Sequence, residues 1–198
     1  RSRIIRNFAA NRSEALFQDH GFKAALGFNI RKFEEWKGAR SNTRMGAYRI
    51  LEQKLESVLT KRERISLSNA RKQADLADRA AAGKLSAEAY EREAAFLETE
   101  STLEWSAEEK ALLSIAEGKK PLKVHVHKTD DAMYLIDLCR RFPLQVSAEH
   151  LMDVNNIETF RALQKAGIPA VYGPLGSHPY KTELKNAGWK NAAVIMKS

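Results

Sequence analysis

The chain has 198 residues, 43% apolar and 29% charged, enough to bury one core of ordinary size and typical of a folded domain rather than a disordered or membrane-embedded one. Its formal charge of +8 is spread out: residues 1–60 carry 12 basic and 6 acidic side chains, residues 61–118 carry 9 and 12, and residues 119–198 carry 12 and 7. With no basic stripe, no zinc-finger or RNA-recognition signature and no apolar run long enough to span a bilayer, neither nucleic acid nor a membrane is expected as a partner.

Residues 1–20 open with a basic segment and run on in a helix-like pattern anchored by Phe8, Leu16 and Phe17, which Gly21 closes. Phe22 to Gly27 is short and apolar enough for a buried strand, and residues 29–38 read as the loop beyond it. Residues 1–42 are therefore expected to hold an N-terminal helix and one strand. Ser41-Asn-Thr-Arg-Met-Gly46 then starts a long helix, with Thr43 as its cap. Arg44 behind it can meet an anion, and a solvated first-turn arginine is the plainer alternative.

From Tyr48 to Ala82 the residues Ile50, Leu51, Leu55, Val58 and Leu59 recur at helical spacing. Gly83-Lys84 breaks the run, Ser86 restarts it, and Ser106 with Glu109 forms a capping box before Leu112, Leu113 and Ile115. Residues 43–118 show no chemistry of their own. They are expected to be a helical insertion or lid, with an oligomer contact as the second reading.

Past Pro121 strands and helices alternate through residues 119–198, which points to a parallel α/β sheet. Leu122, Val124 and Val126 alternate with Lys123, His125 and His127, so both imidazoles leave one face of the strand. Thr129 is placed to cap the following helix, with Asp130 and Asp131 at its positive end and Met133, Leu135, Ile136, Leu138, Cys139 and Phe142 on its apolar side. A lone cysteine there excludes an internal disulfide framework. A second apolar run, Leu144 to Ala148, again ends at a histidine, His150. Imidazoles at the carboxyl ends of neighbouring strands about 4.8 Å apart can converge on one cation, where parallel sheets collect their active sites. A hydrogen-bonded histidine without a metal is the competing reading. A third strand, Ile168 to Tyr172, leads into the Gly173–Pro179 loop, which brings Ser177 and His178 toward the same rim. Residues 180–187 and 189–197 are expected to close the chain as helices.

Leu122 to Asp131, Ser147-Ala-Glu-His150 and Ala162 to Leu175, in that order, resemble the fifth, sixth and seventh strands of imidazolonepropionase-like members of the amidohydrolase superfamily. Lys23 to Asn29 and Thr43-Arg-Met-Gly46 are similar to the segment that precedes them. The resemblance implies part of a (β/α)8 TIM-type barrel with a long helical insertion. It also implies a zinc site of one or two ions that hydrolyses an amide-like or cyclic C–N bond in a small molecule. By position the metal ligands fall on His125 and His150, while His127, His178 and Arg44 become neighbours of metal or substrate. The family's first-strand His-x-His has no counterpart upstream, and no aspartate follows Asp153 to serve as its eighth-strand group. The catalytic residue is thus unassigned, and the chain is read as an incomplete barrel completed by a missing portion or by a second copy. If Val124-His-Val-His127 is instead the first-strand pair, His127 is a ligand too.

Two other readings stay open. One is a non-catalytic helical assembly module with a vestigial site; the other is an anion or nucleotide binder using Arg44 and the Gly173 loop, for which no phosphate-cradling glycine motif is present. Compartment is open between cytoplasm and periplasm.

Overall fold

A computed structural model describes residues 4–5, 16–17, 21–27, 41, 43–176 and 181–198. By contacts the chain divides into two compact units, residues 1–52 with 114–198, and residues 53–113.

The first unit is mixed α/β. Strands β3 (Phe22–Ala25), β4 (Leu122–Val126), β5 (Val146–His150) and β6 (Ala170–Tyr172) form a parallel sheet in the order β3-β4-β5-β6. Ala25 lies level with His125, His125 with Glu149, and Val126 with His150. Leu122, Val124 and Val126 are buried on one side of β4, and His125 on the other. A strand buried on both faces is what a parallel sheet demands.

Helix α4 (Thr129–Arg141) connects β4 to β5 and buries Ala132, Leu135, Ile136 and Leu138. Removing each of the larger apolar side chains from water contributes about 1.5–3 kcal/mol. Its acidic first turn and basic Arg140 and Arg141 both suit the helix dipole. Three details depart from expectation. Lys128, not Thr129, occupies the N-cap, and the Thr129 hydroxyl accepts a bond from Asn156 Nδ2 at 3.0 Å. Met133 is exposed, and Phe142 lies just past the helix end. Cys139 is half-buried, which pushes its thiol up to about 11. Helix α5 (Ile157–Lys165) leads to β6 and is capped by Asn156, whose Oδ1 accepts from Thr159 N at 2.9 Å.

At the N-terminus β1 (Ile4–Ile5) pairs antiparallel with β2 (Leu16–Phe17), and at Leu16 and Phe17 a helix was expected. Pairing between positions distant in sequence overrides local helical spacing there. The rest of that expected helix lies outside the described residues. At the C-terminus the expected helix over 180–187 is a single 3-10 turn, Thr182–Leu184, and the one over 189–197 shortens to α6 (Lys190–Ile195). Hydrogen bonds to other loops replace intrahelical ones there.

In the second unit lie most of α1 (Arg44–Ala81), α2 (Ala87–Leu103) and most of α3 (Ala107–Ala116). Leu55, Val58, Ile65 and Leu76 are its buried α1 side chains. Ser86 caps α2 through Ala89 N, and Ser106 and Glu109 exchange the reciprocal bonds of a capping box at α3. Lys72 pairs with Glu100 and Arg79 with Glu93 across α1 and α2. Among the described residues, no helix is long and apolar enough to cross a membrane.

Candidate metal centre

His125 leaves β4 on the face opposite Val124 and Val126, and His127 follows two residues on. Their ring centroids lie 4.2 Å apart, edge to face. His150 requires more explanation. It sits level with Val126, so regular alternation directs it to the Val126 side. Its backbone instead takes φ 81°, followed by Leu151 at φ 47°, a conformation uncommon for residues other than glycine. That turn carries the ring to the His125 side, with centroids 4.6 Å apart and 5.8 Å from His127.

The donor chemistry follows from the surroundings. His150 Nδ1 lies 2.7 Å from the Gly173 carbonyl, which can only accept, so Nδ1 carries a proton and Nε2 is the nitrogen left to face a ligand. Burial, with His127 and His150 close by, pushes His125 down to about 3, so its imidazole is neutral at physiological pH.

Glu183, on the 3-10 turn, completes the cluster. Ligand atoms of His125, His127 and Glu183 all lie within 4.8 Å of one another, and all three side chains are buried. His150 stands beside this group through its ring contact with His125. Sequence reasoning missed Glu183. A glutamate in a polar Lys-Thr-Glu-Leu run carries no periodic or spacing signal, and only the tertiary path of the turn brings it to the imidazoles. Two imidazole nitrogens plus a carboxylate oxygen, buried together with a third imidazole beside them, form a donor set that suits zinc or a similar borderline cation.

Arg44 does not stand ready for an external anion. Its Nε lies 3.2 Å from Asp131 Oδ1, its Nη2 3.7 Å from Glu183 Oε2 and its Nη1 3.9 Å from Asp130. The helix that opens at Arg44 thus delivers a guanidinium to two buried carboxylates, which absorb its charge. Tyr48 donates to Asp131 and stacks on Tyr134 at 3.8 Å. Burial nevertheless pushes the Asp131 carboxyl up. Gly27 allows the close approach: with φ +76°, a Cβ there would meet Glu183 Oε2 at 2.9 Å and Asp131 Oδ2 at 3.1 Å. His178 and Ser177 lie outside the described residues.

A parallel α/β sheet with imidazoles gathered at its carboxyl rim defines the structural class. No family model matches the chain, and no curated protein does. Among solved structures it is similar to the crystal structure of an amidohydrolase from Thermotoga maritima MSB8, with a TM-score of 0.64 and 21% identity over 93% of this chain. The chain spans 41% of that protein's length. The likeness is one of fold.

Proposed function

We propose that this chain is part of a metal-dependent hydrolase of the amidohydrolase type, acting on an amide-like or cyclic C–N bond of a small molecule. His125, His127 and Glu183, with His150 beside them, would hold a divalent cation, and the donor set favours zinc. The reading rests on one observation, the convergence of three imidazoles at the rim of the sheet. A cation in this place supplies Lewis acidity for activating water and polarising a carbonyl. The protein's own contribution is electrostatic and positional. Burial keeps His125 unprotonated, the Gly173 carbonyl sets the His150 tautomer, and Arg44 balances the charge of Asp131 and Glu183. On this reading the four strands are a portion of a (β/α) barrel of the imidazolonepropionase-like kind, residues 43–118 are its helical insertion or lid, and a second copy or further barrel strands complete it.

Metal analysis of purified, zinc-loaded protein tests the proposal. About one equivalent is expected in the wild type, with loss in His125→Ala and a reduced content in His150→Ala. Content below about a tenth of an equivalent, or content indifferent to both substitutions, overturns it. Hydrolysis of N-acyl amino acids, cyclic amides and ureas by the loaded protein then tests the bond class.

A second reading, a non-catalytic helical assembly module, is favoured by one feature of residues 53–113. Among the described residues, α2 buries no side chain, while Phe96 and Leu103 are 66% and 79% exposed. A helix of this length draws most of its stability from a packed apolar face, so a covering partner would stabilise it.

A further inference from the structure

Glu183 reaches the imidazoles from a 3-10 turn of three residues, too short to hold its own position. Its anchorage lies a few residues downstream. Asp153, in the loop after β5, is 5% exposed. Its Oδ1 accepts from Asn186 N at 2.7 Å, and its Oδ2 accepts from Asn186 Nδ2 at 3.2 Å and from Lys128 Nζ at 2.6 Å. Buried Asn191 adds a second fastening, its Nδ2 donating to Met152 O at 3.2 Å and to Asn186 O at 3.0 Å. One carboxylate therefore ties together the cap of α4, the loop after β5 and the segment that carries Glu183. Lys128 and Asp153 stand one and three residues beyond His127 and His150.

We infer that Asp153 is a positioning residue for the metal centre: through Asn186 it holds the 181–191 segment so that the Glu183 carboxylate meets the His125 and His127 rings. The inference rests on the metal-site reading above. Metal sites tolerate ligand displacements of only about 0.5 Å, and Asn186 stands three residues beyond Glu183, just past the 3-10 turn. Small rotations at Asn186 are therefore enough to withdraw the carboxylate. Asp153 itself touches none of the reacting atoms.

The test is zinc affinity of the full chain, measured by competition with a chromophoric chelator, in wild type, Asp153→Ala, Glu183→Gln, the double variant and Asn186→Ala. Asp153→Ala is expected to weaken zinc binding by about 10- to 100-fold, as loss of an outer partner does elsewhere. Asn186→Ala moves affinity in the same direction by a smaller factor, which keeps the test available should Asp153→Ala fail to fold. In the Glu183→Gln background Asp153→Ala should change affinity by less than about twofold, because two residues acting through one ligand are not additive. A purely structural role predicts equal losses in both backgrounds, and that result overturns the inference. So does wild-type affinity in both Asp153→Ala and Asn186→Ala, or an unchanged affinity in Glu183→Gln. If His125→Ala abolishes zinc binding in the same series, the metal reading stands although the positioning role has failed; if wild type binds no zinc, both fall together.

Discussion

Acid should destabilise the metal-free protein through His125, and the size of the effect follows from its surroundings. The ring is 7% exposed, and burial beside His127 and His150 holds its folded pKa at about 3, against roughly 6.5 in an unfolded chain. A depressed histidine pKa means that the unfolded chain binds the proton first. The contribution is therefore complete above the unfolded value and is lost as pH falls from about 6.5 toward about 3. Each unit of pH in that window costs about 1.4 kcal/mol, so moving from pH 7 to pH 5 removes about 2 kcal/mol. Urea denaturation in the presence of a chelator, followed by circular dichroism at pH 7, 6 and 5, measures the change. His125→Asn, which cannot take up the proton, should lose about 2 kcal/mol less than wild type over the same range. Parallel pH profiles for the two proteins would refute the claim that this imidazole is kept neutral by its packing.

Three other substitutions probe separate parts of the argument. Gly27→Ala forces a Cβ against Glu183 and Asp131 at φ +76° and should destabilise the protein by about 1–3 kcal/mol while weakening zinc binding, as thermal melts and chelator competition would show. His150→Asn retains a residue tolerant of φ 81°, so stability should stay within about 1 kcal/mol of wild type while zinc affinity falls about tenfold; an equal fall in stability would make the ring structural instead. Ser106→Ala removes the bond to Glu109 N and should cost about 1 kcal/mol, read as faster amide exchange at the start of α3 with no change in zinc affinity.

The strand–helix rhythm of residues 122–172 was legible because its periodicities are local. Leu122, Val124 and Val126 alternate, and Leu135, Ile136 and Leu138 recur at helical spacing, so each element declares its buried side within a few residues. The histidines were legible as rim residues for the same reason. The approach of His150 to His125 was not, since the register alone places it level with Val126 and only the positive φ at the end of β5 brings it across. The N-terminal pairing of Ile4–Ile5 with Leu16–Phe17 and the single turn at Thr182–Leu184 escaped for a related reason, because pairing and loop bonds from distant positions decide them.

Arg44 and Glu183 mark where local reading ends. Spacing offered Arg44 as a free cation at a helix start, yet two buried carboxylates, far along the chain, take its charge. Burying Asp131 and Glu183 is costly without such compensation, so the guanidinium is a condition for bringing Glu183 to the imidazoles at all. Gly27 leaves the space in which they meet, and Asp153 accepts from Asn186, three residues past Glu183. The carboxylate of the candidate centre therefore depends on three other stretches of the chain, while its imidazoles come from the ends of two neighbouring strands. This asymmetry makes a histidine pair readable from a sequence and its acidic partner readable only from the fold.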